Sequence, residues 1–159
     1  MVDRRLTVLR HAKSDWPAGV PDFDRPLAAR GRSDAPAAGR WLSGQVPPAL
    51  VLCSPAVRAR QTCELVVAEL ADQPRVRVDE RLYAASTGDL LAVVQGLDDA
   101  QRHVVLIAHN PGLSTLATVL TGERLELKTS GIAVAGWTGS WAAAAPNAAR
   151  LLAVATARG

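Results

Sequence analysis

Short unbroken apolar runs alternate along this chain with longer stripes of helical period. Leu6-Thr7-Val8-Leu9, Leu50-Val51-Leu52-Cys53 and Val104-Val105-Leu106-Ile107-Ala108 are runs of this kind. They have the pattern of strands buried on both faces of a parallel sheet. Val76–Val78 reads as a further short strand. Between the runs, the spacing predicts a helix that reaches about Leu42, capped by Ser33 or Asp34 with Pro36 in its first turn. A start near Ala28 would place Pro36 inside the helix and kink it. A second helix is predicted over Val57–Ala71, with Cys63, Val66, Val67 and Leu70 on one face. A third runs from Asp89 to Leu97, with Leu90, Val93, Val94 and Leu97 on its stripe, and a fourth spans Leu113–Leu120. Ile132–Trp137 and Leu151–Ala155 alternate less with helices and are expected to add strands at a sheet edge. This order predicts an α/β fold: a three-layer α/β/α sandwich with a mostly parallel central sheet and helices on both faces.

The polar residues that follow the buried runs carry the chemistry. Arg10-His11 closes the first run, Ser54-Pro55 and then Arg58 follow the second, and His109 directly follows the fourth strand. In an open α/β sheet the carboxyl ends of the strands form the ligand-binding edge. Two arginines and two histidines gathered there describe a site for a phosphoryl group. Such a group in transfer spreads charge over three oxygens, so catalysis consists of positioning and charge stabilisation. Arg10 and Arg58 each offer a planar fork of donors that stays charged. His109, when protonated, adds a third cationic donor. His11 is the candidate nucleophile, neutral at its attacking nitrogen, with a backbone carbonyl accepting from its other N–H to fix the tautomer. Arg58 also stands at the start of a predicted helix, whose N-terminal dipole favours an anion. The loop Ala12–Pro26, rich in Pro, Gly and Asp, is long for a connection, and loops of that length are usually functional.

Composition narrows the class. The chain has 159 residues, 48% of them apolar, enough for one domain with a core of its own. No apolar run approaches the ~20 residues of a membrane span, and the stretch behind Arg4 and Arg5 is too short for a signal peptide. A cytoplasmic location is the expectation. The net charge of +3 is modest, the arginines are scattered, and few aromatics lie between them, so no nucleic-acid surface is expected. Cys53 and Cys63 make no disulfide framework. The three histidines lack carboxylates at ligand spacing, so no metal and no other cofactor is expected.

These motifs resemble the histidine phosphatase superfamily, also called phosphoglycerate-mutase-like. Its R-H pair stands as Arg10-His11. Its S-P-x-x-R-A-x-Q-T run stands as Ser54-Pro55-Ala56-Val57-Arg58-Ala59-Arg60-Gln61-Thr62, and its second histidine as His109-Asn110-Pro111-Gly112. Within the superfamily the chain is similar to the small SixA-type phosphohistidine phosphatases, through Arg10 to Ser14, Asp24-Arg25-Pro26-Leu27 with Gly31, and Thr129-Ser130. The resemblance covers nearly the whole chain. It implies the phosphoglycerate-mutase-like fold, a phosphorylated His11, a phosphate pocket of Arg10, Arg58 and His109, and Arg25 at the pocket mouth as a substrate-binding residue. It implies a metal-independent phosphatase. One departure stands out: larger members carry a glutamate acid after the third strand, and Ala84 occupies that place, with Asp79 and Glu80 slightly upstream. A missing acid suits the imidazole of phosphohistidine, and the lack of long insertions suits an open pocket that admits a phosphorylated protein. The alternatives are a phosphatase of small phosphorylated metabolites, with Asp79 or Glu80 as acid, and a catalytically silent module that binds phosphoproteins.

Two other readings fail on the residues. Cys53 to Arg58 superficially resembles a cysteine-dependent phosphatase loop, but the four residues between them are one too few. Cys53 also ends an apolar strand, which predicts a buried, inert thiol. His103 precedes the fourth strand on the opposite sheet edge and is expected at the surface.

Overall fold

The computed structural model describes residues 2–159. Six strands form one sheet: β1 (Arg4–Arg10), β2 (Leu50–Cys53), β3 (Arg75–Val78), β4 (His103–Ala108), β5 (Gly131–Trp137) and β6 (Arg150–Thr156). Four helices accompany them: α1 (Ala29–Ser43), α2 (Val57–Val67), α3 (Thr87–Gln95) and α4 (Gly112–Thr121). The spatial order is β3-β2-β4-β1-β5-β6. The β3, β2, β4 and β1 part is parallel, and β5 and β6 are antiparallel additions beside β1.

The unbroken apolar runs sort onto two faces by the two-residue period of a strand. Leu6, Val8, Leu50, Leu52, Val104 and Leu106 pack on one face against Leu90, Val93 and Val94 of α3 and Leu113, Leu116 and Leu120 of α4. Leu9, Val51, Cys53, Val105 and Ile107 pack on the other against Ala38 and Leu42 of α1 and Ala59, Cys63 and Val66 of α2. A strand covered on both sides has no polar face, which is why its sequence does not alternate. No helix among the described residues is long and apolar enough to cross a membrane.

The structure corrects several local expectations. α1 begins at Ala29 rather than beyond Ser33, so Pro36 lies inside it. Burial of Gly31, Ala35, Ala38, Gly39 and Leu42 along one face holds the helix despite the hydrogen bond that proline removes. Asp34 is no cap. It is 1% exposed, accepts from the Gly159 N–H at 2.9 Å and pairs with Arg30 and Arg158. α2 ends at Val67, and Leu70 reaches the core through tighter turns, Glu69 N–H to the Val66 carbonyl and Leu70 N–H to that of Val67. β5 and β6 do extend the sheet at one edge as expected, with β6 outermost and β5 paired on both sides and buried along its length. His103 lies on the amino edge as expected, but it is buried. Its Nε2 shares a hydrogen bond with Thr7 Oγ1 at 2.7 Å and its Nδ1 one with the Val46 carbonyl at 2.7 Å.

α1 docks tightly on the loop that follows β1. The Ala28 N–H donates to the Lys13 carbonyl at 2.9 Å, and a Cβ on Gly31 would stand 2.1 Å from that same oxygen. Gly31→Ala is therefore expected to destabilise the protein by about 1–3 kcal/mol through overpacking against backbone. Gly44→Ala, whose Cβ meets nothing closer than 3.6 Å, is expected to stay within about 0.5 kcal/mol of the parent. Denaturant titration of both variants checks this, and equal midpoints would contradict the packing.

Candidate active site

The strand order explains how distant residues meet. β4 lies between β2 and β1, so the segments leaving these three strands emerge side by side at the carboxyl edge. The two flanking segments continue the ladder on β4 for one residue: the His11 N–H donates to the Ala108 carbonyl at 3.1 Å and the Ser54 N–H to that of Ile107 at 3.0 Å. The chain then turns away, leaving Arg10, His11, Arg58 and His109 around one cavity of about 190 Å³. Arg25, Lys13 and Thr129 line it as well. All five residues that the sequence singled out line this one cavity.

His11 is 6% exposed, and its Nδ1 lies 2.8 Å from the Ala12 carbonyl. A carbonyl only accepts, so Nδ1 carries the proton and Nε2 keeps its lone pair. Arg58 Nε approaches that Nε2 at 3.4 Å. The ring of His109 stands with its centroid 5.1 Å from that of His11.

The Ser54–Thr62 run acts as a single bracket around this pair. Ser54 Oγ shares a 2.7 Å hydrogen bond with His109 Nε2. Arg58, at the first turn of α2, reaches His11. Gln61 Oε1 accepts from the Leu27 N–H at 2.8 Å, and Thr62 Oγ1 accepts from the Ala12 N–H at 3.0 Å while donating to the Arg58 carbonyl at 2.7 Å. The glutamine and threonine thus fix the two ends of the loop that leaves β1. On the far side, the Leu127 carbonyl accepts from Arg10 Nη1 at 3.1 Å and from Asn110 Nδ2 at 2.7 Å. The Ser130 N–H points at the Arg10 and His11 carbonyls. Its φ of 57° lies in the left-handed region, a conformation that non-glycine residues adopt mainly where surrounding contacts require it.

Four cationic side chains, Arg10, Lys13, Arg25 and Arg58, share this cavity, and no carboxylate lines it. Arg25 is 6% exposed. Its guanidinium donates to Ser14 Oγ at 2.9 Å and to the Asp15 carbonyl at 3.1 Å, and lies 3.5 Å over the Trp16 ring. The nearest acid is Asp22 at the mouth, which the sequence reading missed. Its Oδ1 accepts from Arg25 Nε at 3.1 Å, and its Oδ2 from Arg58 Nη2 at 3.1 Å and from the Tyr83 hydroxyl at 2.7 Å. The available signal was its place three residues before Arg25 in an overlong loop. Asp79 is engaged by Arg81 through both oxygens, at 3.0 and 2.6 Å, and Glu80 is exposed. Ala84 itself sits at φ 54° beside His109, in a separate hollow. Among the described residues, no three His, Cys, Asp or Glu side chains gather so as to hold a metal ion.

Burial pushes the His11 pKa down to about 3, helped by the neighbouring His109, Arg58 and Arg10, so the ring is neutral near pH 7. His109 is likewise lowered to about 4, first by burial and then by Arg58. The protein alone thus holds it neutral, and the third cationic donor arises only when it is protonated. Asp22 is held down at about 2, first by the Tyr83 hydroxyl, with burial opposing it, and then by Arg25 and Arg58. Arg10 Nε and His109 Nδ1 are buried with no hydrogen-bond partner among the described residues. Such groups cost about 1–3 kcal/mol each. Cys53 is buried, its thiol pushed up by a hydrogen bond with Cys63 and by burial, and it does not line the cavity. The arrangement combines a neutral imidazole nucleophile with fixed positive charge.

The profile of the histidine phosphatase superfamily (branch 1) matches residues 6–101. An uncharacterized protein of Mycobacterium tuberculosis is 40% identical over 156 residues, covering 91% of this chain and 96% of its own. Among solved structures, a SixA from Nakamurella multipartitia is 30% identical with a TM-score of 0.85, over 96% of this chain and 95% of that one. The protein histidine phosphatase SixA complexed with tungstate is 27% identical with a TM-score of 0.82, over 96% of each chain.

The lowered histidine pKa values fix how stability depends on pH. The unfolded chain takes up these protons near pH 6.5, whereas the folded protein resists them until about 3 for His11 and about 4 for His109. Their contribution is therefore complete above pH 6.5 and is lost as pH falls towards those values, at up to about 1.4 kcal/mol per pH unit per group. Unfolding free energies measured at pH 6.5, 5.5 and 4.5 are expected to decline less steeply in His109→Gln than in the parent. Identical slopes would show that His109 is not held neutral by the fold.

Proposed function

We propose that this chain, which belongs to the histidine phosphatase superfamily and is of SixA type, removes the phosphoryl group from a phosphohistidine on a protein by way of its own His11. The observation that carries this reading is the His11 ring itself. Nδ1–H is committed to the Ala12 carbonyl and Nε2 opens onto a cavity of fixed cations.

The chemistry follows in two displacements. In the first, the phosphoryl oxygens bind Arg10, Arg58 and Arg25, and His109 takes up a proton as the dianion arrives. His11 Nε2 attacks phosphorus from its neutral state. The substrate ring reacts after its second nitrogen has taken a proton from solvent. The new P–N bond forms as the bond to that ring breaks, and the departing ring keeps the electron pair and leaves as neutral imidazole. The His11 ring is then cationic, with Nδ1–H still held by Ala12. In the second, water attacks phosphorus, the P–Nε2 bond breaks and its electron pair returns to His11. The product is dihydrogen phosphate, which gives a proton to solvent. The charge that divalent metals supply in other phosphatases comes here from guanidinium groups and His109, so activity should need no metal.

Two features favour a protein-borne substrate. The cavity is small, Trp16 on its lining is 76% exposed, and Phe23, next in the chain to Asp22 and packed on Tyr83, is 38% exposed. No carboxyl group stands ready as acid in the place of Ala84. An alkoxide leaving group relies on such an acid for roughly 10²–10⁴ in rate, and an imidazole depends on it less.

His11→Ala is expected to abolish turnover while keeping the fold, and rapid quenching of the parent with labelled substrate should trap an acid-labile, base-stable phosphoenzyme. Unchanged turnover in the variant would sink the mechanism. With excess EDTA throughout, kcat/KM for a phosphohistidine protein is expected to exceed that for a sugar phosphate. A sugar phosphate preferred by about tenfold, a difference of 1.4 kcal/mol, would replace this reading with a phosphatase of small metabolites. Stoichiometric binding of the phosphoprotein without turnover would replace it with a silent binding module.

A further inference from the structure

We propose that Asp22 forms the leaving-group subsite of this cavity, which as a carboxylate accepts a hydrogen bond from the remote ring N–H of the departing imidazole and so selects nitrogen-linked phosphoryl groups over oxygen-linked ones. This deepens the phosphohistidine reading and rests on it.

Placement comes first. Asp22 opens the single turn Asp22–Asp24 within the loop after β1 and stands at the rim, its side chain 49% exposed. Its Oδ2 meets Arg58 Nη2 at 3.1 Å, and Nε of the same guanidinium meets His11 Nε2 at 3.4 Å. The carboxylate is thus one guanidinium width from the attacking nitrogen, on the solvent side. A phosphoryl group bound to Arg58 would stand between His11 and the mouth, and in-line attack sends its leaving group outward, towards Asp22. The Tyr83 hydroxyl, at 2.7 Å, fixes Oδ2 from a second element.

Charge decides the role. Held between two guanidinium groups and a phenol, Asp22 is ionised at neutral pH, so it accepts hydrogen bonds and does not deliver a proton. An alkoxide gains nothing from such a neighbour. A phosphorylated imidazole is different, because its second ring nitrogen is basic, takes up a proton from solvent and then presents an N–H. When that N–H donates to the carboxylate, the protonated ring is favoured. As His11 Nε2 bonds to phosphorus, the P–N bond to the substrate breaks, its electron pair goes to the departing nitrogen, and neutral imidazole leaves with its remote N–H intact. No proton changes hands in this displacement and no acid on the protein is needed, which fits an alanine at position 84. The repulsion between Asp22 and a phosphoryl dianion is offset by Arg25 and Arg58, which lie between them.

The test separates this role from the simpler one of holding two arginines. Asp22→Asn and Asp22→Glu are compared with the parent on a phosphohistidine protein and on p-nitrophenyl phosphate, whose leaving group departs without a proton. Loss of a charge-assisted hydrogen bond predicts that Asp22→Asn lowers kcat/KM for phosphohistidine at least about tenfold more than for the aryl phosphate. The alkaline limb of the phosphohistidine pH profile should also move down by about one unit, because the carboxylate no longer supports the protonated imidazole. Asp22→Glu should recover most of the ratio, and Asp22→Ser takes the place of the Asn variant if that one does not fold. Equal losses on both substrates with an unmoved limb would overturn the proposal while leaving the phosphohistidine reading intact. A parent that hydrolyses the aryl phosphate but not phosphohistidine would overturn that reading and this proposal with it.

Discussion

The hydrogen bond from His11 Nδ1 to the carbonyl of the next residue is the interaction on which the site depends. It fixes the tautomer and the ring plane at once, so the lone pair stays on Nε2, on the side of Arg58 and the cavity. The bond holds only if Ala12 is held. Ala12 is fully buried and anchored through its own N–H to Thr62 on α2. The nucleophile is thus positioned by main chain, and the main chain by a helix that also carries Arg58. Because one helix supplies both the anchor and the arginine, ring orientation and phosphate contact cannot drift apart. Burial then completes the arrangement: the ring is neutral because it is dry and surrounded by positive charge.

The sheet answers a second requirement. Arginines 10, 25 and 58 gather in a small volume, and like charges that close repel. Carbonyls and one carboxylate take up the strain. Leu127, Asp15 and the Asp22 main chain each accept from one guanidinium, and the Asp22 side chain bridges two. Each guanidinium is thus held by the protein itself before any substrate arrives. That is what preorganisation requires when fixed charge replaces mobile water.

The fold was legible because buried strands and amphipathic helices write different periods into the chain, and both were strong at Leu6–Leu9, Val104–Ala108 and Asp89–Leu97. Local boundaries were not. The start of α1 is set by Gly31 packing on Lys13 and by Asp34 receiving a distant N–H, contacts that no window around Ser33 contains. His103 was misplaced for the same reason: its partners, Thr7 and Val46, are far away in sequence. Arg10, His11 and His109 were legible because each stands at or directly after the end of a strand, and Arg58 because it stands at the start of the helix after β2; Arg25, inside a loop, was legible only through the resemblance. Asp22 was not, since a carboxylate in a loop has no period, and its role appears only when Arg25, Arg58 and Tyr83 converge on it. The neutrality of His109 was not legible, because sequence shows the arginines around a histidine but not how little water remains around it.

Leu127 illustrates how differently the two ends of one residue are constrained. Its side chain belongs to the apolar core, where any group of similar volume would serve, while its carbonyl holds Arg10 and Asn110 together. Every amino acid carries that carbonyl. Mutational drift at this position is therefore screened by packing alone, and the bracket survives it. A survey that hunts for functional positions by side-chain identity would pass over the segment entirely, although a change in its backbone path would loosen both β1 and β4 at the cavity. Substitutions that alter main-chain direction here, rather than those that alter chemistry, are the ones the site cannot absorb.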